Sequence, residues 1–497
     1  MIGVTRRMDE QVALGLIARL LGALHEAGVV YCHWKSTNAL ARSATGDNDL
    51  DLLVDRGSVQ RFTGILWRLG FKEAELPLGR RIPGIRDFYG WDPGAARLIH
   101  VHAHYQLVLG HDTTKNYRLP VEQAYLASST QGELFRVPAP AFEFVVLVIR
   151  MALKHLTWDA VLLGRGSLSA KEHQEVAYLA ARAGKAEVQR ILAEHLPYVD
   201  EAVFKACLAA LEPGRSPWAR VGAGRKLHNS LASCARRPAV VDGLLRPWRT
   251  FAWTVERRVR RHAPRRRLAA GGKLIAVVGG DGSGKSTQTA ALSRWLSQCF
   301  DVTQIHLGKP RWSALTIAVR GVLKLGRMLG LYGFVERPEE EAPSPGRPAA
   351  ALYGGMLRAV CTARDRYHQY LRARRLAGNG GLVICDRYPL PGTIAMDGPQ
   401  VARSAGARRD SRLIDRLATL EERYYRGIAL PDMLVVLRVN PDVCVARKTD
   451  ETAESVRARS SQVWECDWRQ TPAHVLDGGK SQAEVFAELQ AVVWSQL

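Results

Sequence analysis

A glycine-rich turn between an apolar strand and a helix constrains this chain more than any other feature of its sequence. The apolar run Leu274–Val278 leads into GGDGSGKS, and a helical pattern follows from Lys285. These letters match G-x-x-x-x-G-K-[ST], a turn whose backbone N–H groups and helix N-terminus surround a phosphate group. We therefore predict a buried strand of a parallel sheet, followed by a nucleotide phosphate site.

The residues of this phosphate loop have separate predicted roles. Lys285 would reach the β- and γ-phosphates of ATP, and the Ser286 hydroxyl would bind Mg²⁺. The alternative is an ordinary glycine-rich turn between a strand and a helix. The predicted nucleotide-binding residues are Gly279, Gly280, Asp281, Gly282, Ser283, Gly284, Lys285, Ser286 and Thr287.

The periodicity of apolar residues divides the 497 residues into four segments. Residues 1–137 combine short strands with a few helices, which predicts an α+β domain. Residues 138–245 predict a helical domain, and residues 246–272 an Arg-rich linker. Residues 273–497 alternate strands and helices, as in a parallel sheet with flanking helices. The expected fold class is therefore α/β, with an N-terminal α+β domain and a helical middle.

A second motif, LVICDRYP, places Asp386 at the C-terminal end of an apolar strand and Arg387 directly after it. A carboxylate in this position holds Mg²⁺ directly or through water. Together, GGDGSGKST and CDRYP resemble the thymidylate kinase family of nucleoside monophosphate kinases, over about Leu274–Leu497. The resemblance implies a P-loop kinase that uses ATP and Mg²⁺ to phosphorylate a small acceptor.

The resemblance also implies roles for charged residues. Arg366 and Arg387 would grip the anionic group of the acceptor, and Asp281 would orient the acceptor. Asp386 would hold the metal or take the acceptor proton. Cations that would close over the phosphoryl group as a lid are Arg447, Lys448, Arg457 and Arg459. Taken singly, each of these lid arginines is more typical of an exposed helix face, but as a cluster at this place they favour catalysis.

Two segments depart from the thymidylate kinase pattern. His306–Pro310 replaces the R-E-P-G-like segment that positions the nucleotide, and Pro389–Pro399 lacks the usual continuation for the thymine base. We therefore expect an acceptor other than thymidylate, such as a sugar, a sugar phosphate or a lipid-linked precursor.

The N-terminal segment carries a different motif. Lys35-Ser36 follows a strand, and Asp49 and Asp51 alternate on a second strand, so both carboxylates point to one side. Paired carboxylates of this kind hold the metal ions of nucleotidyl transfer. Val29–Leu109 resembles the nucleotidyltransferase superfamily, which implies Asp49 and Asp51 as metal ligands.

The third acidic position of that superfamily reads as histidine here, at His100, His102 and His104. Imidazoles leave less negative charge for Mg²⁺, so we expect weak metal binding and doubtful nucleotidyl transfer. The alternating histidines are equally consistent with a polar sheet face.

The net charge of +22 favours anionic partners. Residues 246–267 carry nine Arg and one Glu, which indicates either a solvated linker or contact with acidic lipid or nucleic acid. In Leu315–Phe334, the cations Arg320, Lys324 and Arg327 lie opposite an apolar face that suits a membrane surface or packing on the kinase core. A peripheral membrane contact and a homodimer stay open, whereas nucleic acid is not favoured.

The scattered cysteines predict reduced thiols, and no leader or membrane span is recognisable, so we expect a cytoplasmic protein. The competing functional class is a nucleotide-dependent regulatory or binding protein. Such a protein would dock on a membrane or nucleic acid through its Arg-rich linker.

Overall fold

The protein is described from a computed structural model. It describes residues 13–260 except 163 and 165, and residues 265–329, 349–390, 398–405, 411–449 and 451–497. The chain forms two compact units, Met1–Arg266 and Arg267–Leu497.

The first unit contains a mixed β-sheet with the strand order β1-β2-β5-β4-β3. Strands β2 and β5 run parallel, whereas the other neighbours are antiparallel. The strands of this unit are β1 Tyr31–His33, β2 Leu50–Val54, β3 Lys72–Glu75, β4 Ile85–Asp92, β5 Arg97–His104, β6 Leu107–Leu109, β7 Tyr117–Leu119, β8 Thr130–Gln131 and β9 Arg136–Val137.

Most of the helices of this unit lie in its C-terminal half. They are α1 Gly15–Glu26, α2 Leu40–Ala44, α3 Val59–Arg68, α4 Glu122–Ala127, α5 Pro140–His155, α6 Trp158–Leu162, α7 Ala170–Ala180, α8 Lys185–His195, α9 Glu201–Ala210, α10 Pro217–Ser230 and α11 Ala239–Arg260. The predicted α+β and helical segments are both present, and one hydrophobic core draws residues from each, such as Leu53 and Val145. Helix α5 is buried on nearly all sides because its sequence is almost continuously apolar.

The segment predicted as an Arg-rich linker is helical as far as Arg260. Arg246 is buried there and contacts Asp159 and Asp242 at 3.0 and 3.5 Å. Arg249 donates a hydrogen bond to the backbone oxygen of Thr113 at 3.0 Å. Arg246 and Arg249 therefore fix α11 to the rest of the first unit instead of extending into solvent.

The second unit contains a five-stranded parallel sheet with the order β12-β13-β11-β14-β15. The strands of this sheet are β11 Leu274–Gly279, β12 Val302–His306, β13 Leu382–Asp386, β14 Met433–Arg438 and β15 Ala473–Asp477, and the short strand β10 Arg267–Leu268 precedes them in the chain. Its helices are α12 Lys285–Leu296, α13 Ala314–Met328, α14 Ala349–Gly378, α15 Val401–Ala405, α16 Arg412–Arg426, α17 Pro441–Arg447, α18 Ala453–Glu465 and α19 Gln482–Gln496. This confirms the predicted α/β fold class.

The three central strands of this sheet are buried along almost their whole length. Parallel strands covered by helices on both faces carry continuous apolar runs, and this is why LIAVVG, LVICD and MLVVLR were recognisable as strands. The C-terminal ends of β11 and β13 lie at one edge of the sheet. Ligands of open parallel sheets bind at this edge.

Helix α13 occupies part of the predicted amphipathic insertion. Its apolar residues Val322, Leu325 and Met328 are exposed, and the Arg320 guanidinium lies 3.9 Å from the centre of the Trp312 ring. Residues 330–334 and the Arg327 side chain lie outside the described part. None of the helices among the described residues combines the length and the apolar character needed to cross a membrane.

Candidate active site

The phosphate loop connects the central strand β11 to helix α12. Gly282 and Gly284 have φ angles of +83° and +84°, a conformation that glycine adopts without a steric cost. Gly280 and Gly282 also face close neighbours: an added Cβ would lie 2.7 Å from Ser460 Oγ and 2.5 Å from the Cys444 oxygen, respectively. The glycines are thus required both by the turn and by the packing of the loop against α17 and α18.

Lys285 opens helix α12, and its side chain folds back over the loop. Its Nζ donates a hydrogen bond to the Gly280 oxygen at 2.7 Å and lies 3.7 Å from Asp281 Oδ1. The side chain is buried. Its ammonium group therefore lies within the loop, at the place where the motif requires a phosphate-binding cation.

Asp281 is the buried centre of a charged cluster. Arg387 Nη2 lies 2.8 Å from Asp281 Oδ1, and Arg459 Nη1 lies 3.0 Å from Asp281 Oδ2. With Lys285, three cations surround one carboxylate whose side chain is 4% exposed. The net charge of this group of four is positive, as the binding of a triphosphate requires.

Ser286 and Asp386 provide a pair of oxygen ligands at the end of the sheet. The Ser286 hydroxyl donates a hydrogen bond to Asp386 Oδ2 at 3.3 Å. Asp386 is buried, and its Oδ1 has no hydrogen-bond partner among the described residues. A buried carboxylate oxygen without a donor next to a hydroxyl fits a hard cation such as Mg²⁺.

Arg387 adopts a backbone conformation that is unusual for its residue type, with φ at +56°. Non-glycine residues in this region cost about 1 kcal/mol or more and cluster at functional sites. The side chain of Arg387 also lies close to Gly308, where an added Cβ would come within 2.7 Å of Arg387 Cδ. His306 is the register partner of Asp386 on β12, and burial lowers the pKa of its imidazole.

Arg366 is buried on helix α14 and binds backbone atoms of the neighbouring loop. Its Nε donates to the Leu307 oxygen at 2.8 Å, its Nη2 donates to the Gly308 oxygen at 3.3 Å, and its Nη1 donates to the Tyr425 hydroxyl. These bonds fix the segment after β12, which was predicted to hold the acceptor.

The predicted lid cations separate into two groups. Arg459 contacts Asp281 in the phosphate loop, as described above. Arg447 donates to the Gly478 oxygen at 3.0 Å, and Arg457 pairs with Asp442 at 2.6 Å on the surface. Lys448 pairs with Glu451 at 3.0 Å. Arg459 therefore contacts the phosphate loop directly and is well placed to meet a phosphate.

Thr287 lies in the first turn of α12 and is exposed, whereas Ser283 is buried. The Ser283 hydroxyl has no hydrogen-bond partner within the described part of the chain. Most of segment 389–399, predicted to diverge from the thymine-binding pattern, lies outside the described residues.

In the first unit, Asp49 and Asp51 pair with different groups. Asp51 Oδ1 lies 2.7 Å from Lys35 Nζ and 3.1 Å from His102 Nδ1, whereas Asp49 Oδ1 lies 3.0 Å from His100 Nδ1. Burial alone would raise the pKa of Asp51, but the hydrogen bond from His102 and the charge of Lys35 outweigh it and hold the pKa well below its ordinary value. The two carboxylates are therefore already neutralised by side chains.

Asp87 on β4 is a carboxylate that the sequence did not indicate. Its Oδ1 lies 2.7 Å from His100 Nε2, and its Oδ2 lies 3.0 Å from Arg266 Nε. Burial would lower the pKa of His100, but its hydrogen bonds to Asp49 and Asp87 raise it overall. The predicted Mg²⁺ pair is thus embedded in a histidine network that does not fit a cation with a strong preference for oxygen ligands.

No family model matches the chain. It is 28% identical over 228 residues to YghS of Escherichia coli K12, which is described as an uncharacterized ATP-binding protein; the match covers 44% of this chain and 92% of YghS. It is 25% identical to YghR of the same strain, also described as ATP-binding, over 44% of this chain and 86% of YghR. It is 29% identical to the thymidylate kinase of Gloeobacter violaceus, over 35% of this chain and 66% of that enzyme.

Among solved structures, the thymidylate kinase of Candida albicans aligns with 45% of this chain and 91% of its own, at 19% identity and a TM-score of 0.29. The thymidylate kinase of Ehrlichia chaffeensis aligns with 45% of this chain and 98% of its own, at 19% identity and a TM-score of 0.24. Relatives described as ATP-binding proteins therefore correspond to 44% of the chain, which also has a thymidylate kinase among its relatives.

Proposed function

We propose that the second unit is an ATP-dependent phosphotransferase whose acceptor is not thymidylate. The observation that carries the proposal is the convergence of Lys285, Ser286 and Asp386 at the end of a parallel sheet, in a loop with the phosphate-binding motif. The similarity to ATP-binding proteins supports ATP as the donor.

The loop residues would hold the triphosphate. Lys285 lies within the loop and would contact the β- and γ-phosphates, while backbone N–H groups at the start of α12 add the favourable field of a helix N-terminus. Ser286 and Asp386 would hold Mg²⁺, which when bound supplies positive charge to the phosphate oxygens.

Arg387 and Arg459 would exchange partners when ATP binds. Both contact Asp281 in the structure, and both are close enough to Lys285 to share one anionic ligand. A γ-phosphoryl group would compete with the Asp281 carboxylate for them, and fixed positive charge at that point lowers the barrier to transfer. Asp281 would then be free to orient the acceptor, as predicted. Arg447 and Arg457 keep their predicted lid roles as part of this proposal.

The acceptor would bind beside the segment that Arg366 fixes. Arg366 is a positioning residue here, because its donors bind the Leu307 and Gly308 oxygens. Arg387 would face the anionic group of the acceptor, and Asp386 would hold the metal or take the acceptor proton. Sugars, sugar phosphates and lipid-linked precursors remain the proposed acceptor classes, and the cytoplasm the proposed location.

Formation of ADP over many turnovers tests this proposal. Wild-type protein with Mg·ATP is offered sugars, sugar phosphates, nucleoside monophosphates and lipid-linked sugars, beside Lys285→Ala and the matched control Lys273→Ala. Lys273 is a half-buried lysine that precedes β11, and its Nζ donates a hydrogen bond to the Gln496 oxygen. We expect acceptor-dependent ADP formation that is lost in Lys285→Ala and kept in Lys273→Ala. Tight ATP binding without turnover on any acceptor would contradict it.

A second candidate function is suggested by helix α11, which presents an apolar stripe to solvent. The exposed fractions of Val240, Leu244, Trp248 and Phe251 are between 62% and 75%. A nucleotide-dependent binding protein could use this stripe on an acidic membrane surface, since the chain is strongly cationic. Co-sedimentation with acidic vesicles, with and without ATP, would separate this function from catalysis: Trp248→Ala with Phe251→Ala should abolish it.

A further inference from the structure

We propose that Asp51, His102 and His104 form a binding site for a divalent transition-metal ion of the zinc type. The inference concerns the first unit and is independent of the phosphotransferase proposal. It replaces the magnesium pair expected from the D-x-D motif.

Strand pairing brings the three residues together. Strand β2 runs parallel to β5, with Asp51 directly beside His102, and His104 lies two residues further along the same face of β5. Within the described part of the chain, this is the one group of three or more His, Cys, Asp or Glu side chains whose ligand atoms all lie within 4.8 Å of one another.

The distances between the ligand atoms match the edges of a metal coordination shell. Asp51 Oδ1 lies 3.1 Å from His102 Nδ1, which lies 3.3 Å from His104 Nε2. Tetrahedral ligands at about 2.0–2.1 Å from Zn²⁺ are about 3.3–3.4 Å apart. A small shift of the side chains would thus complete three of the four positions, and the fourth would stay open for water or an anion.

The chemistry of the ligands selects the cation. Two imidazoles and one carboxylate suit zinc and its neighbours in the first transition series, whereas Mg²⁺ prefers an all-oxygen shell. His104 is 3% exposed, and its Nδ1 has no hydrogen-bond partner among the described residues. The other ring nitrogen, Nε2, faces His102 Nδ1 at 3.3 Å, so a single cation between them could bind the lone pairs of both imidazoles.

The surroundings include an outer carboxylate and a competing cation. Asp87 Oδ1 lies 3.9 Å from His102 Nε2, on the opposite side of the ring from the proposed metal, where it would orient the imidazole. Lys35 Nζ occupies the space beside Asp51 Oδ1, at 2.7 Å. A metal ion would displace this ammonium group, whose side chain is 25% exposed.

Metal titration of the tag-free full-length protein, after removal of bound metal with a chelator, tests the site. We expect one equivalent of Zn²⁺ to bind at least 100-fold more tightly than Mg²⁺ at pH 7.5, measured by competition with a chromophoric chelator. We also expect Co²⁺ to give the intense visible absorption of a tetrahedral complex. His102→Gln and His104→Ala each remove a proposed ligand, so each should weaken Zn²⁺ binding by at least the roughly 100-fold that loss of an outer partner can cause.

Two further variants keep the test independent of folding defects. Lys35→Met removes the competing cation, so it should tighten Zn²⁺ binding several-fold, which no loss of structure would produce. His25→Ala, an exposed histidine on α1, is the matched control and should change nothing. Equal affinity for Mg²⁺ and Zn²⁺, or Zn²⁺ binding unaffected by His102→Gln and Lys35→Met, would overturn the proposal.

Discussion

Asp281→Asn tests the electrostatic design of the phosphate loop. The substitution keeps the size of the side chain and removes the negative charge that Lys285, Arg387 and Arg459 share, while Arg459 keeps its pair with Glu451. Without nucleotide, the three cations would then repel one another in a largely buried place. We therefore expect the variant to be less stable than the wild type when ATP is absent.

The size of this effect follows from burial. Breaking a buried ion pair by removing one partner costs about 3–5 kcal/mol, while an exposed pair is worth about 0–1 kcal/mol. The side chains of Asp281 and Lys285 are 4% and 7% exposed, but those of Arg459 and Arg387 are 17% and 27% exposed. We therefore expect an intermediate loss of about 2–3 kcal/mol, or about 4–12 °C in the midpoint of thermal unfolding of this unit.

Saturating ATP should reverse much of this loss. The triphosphate supplies negative charge to the same three cations, and the variant lacks the carboxylate that repels it. ATP should accordingly raise the unfolding midpoint of Asp281→Asn by more than it raises that of the wild type, while phosphotransfer falls because the acceptor is no longer oriented.

Thermal unfolding by circular dichroism, with and without ATP, measures both effects. The matched control is Asp301→Asn, which removes a partly exposed pair with Arg267 at 3.2 Å in the same unit. This control should shift the midpoint by less than about 4 °C. Equal unfolding midpoints of Asp281→Asn and the control, with equal stabilisation of both proteins by ATP, would contradict this prediction.

Three further predictions concern other parts of the molecule. Ser286→Ala should lower phosphotransfer at least tenfold and weaken its dependence on Mg²⁺, whereas Ser297→Ala, at the other end of α12, should not. Thymidine monophosphate should be a poor acceptor in a coupled assay, because His306–Pro310 departs from the thymidine-binding pattern. Burial raises the pKa of Glu143 to about 7, so its protonation stabilises the first unit below pH 4.5, and this contribution is lost as the pH rises through 7. Glu143→Gln should therefore flatten the pH dependence of unfolding between pH 5 and 8, by an amount on the order of 3 kcal/mol.

Each of these predictions has an outcome that would contradict it. If Ser286→Ala leaves the Mg²⁺ dependence of phosphotransfer unchanged, the Ser286 hydroxyl is not a ligand of the metal. Efficient turnover on thymidine monophosphate would restore thymidylate as the acceptor. A pH profile of unfolding identical in Glu143→Gln and wild type would show that this carboxyl is ionised in the folded protein.

The sequence was most informative where local physics decides the structure. Leu50–Val54 and Leu274–Val278 are strands because apolar runs of this length bury well in sheets, and the structure agrees within one residue. The strand β15, Ala473–Asp477, was not predicted, because Val475 and Leu476 are its only large apolar residues. Residues 246–260 of α11 fall in the segment predicted as a linker, because their many arginines hid an apolar periodicity.

Contacts between segments far apart in the chain could not be predicted from local sequence patterns. The ion pair between Arg459 and Asp281 joins residues 178 positions apart. Arg459, and not Arg447 or Arg457, reaches Asp281 because of the way α18 packs on the loop. Asp87 was also missed, because a single acidic residue within a strand gives no signal until strand pairing places it beside His102.

Transfer of labelled phosphate tests directly whether the second unit is an ATP-dependent phosphotransferase. The protein is incubated with γ-labelled ATP, Mg²⁺ and a cell metabolite extract, and the labelled products are identified by mass spectrometry. We expect one class of labelled small molecule with the wild type and with Lys273→Ala, and no labelled product with Lys285→Ala. ATP bound without any labelled product, or labelling by Lys285→Ala at the wild-type rate, would contradict it.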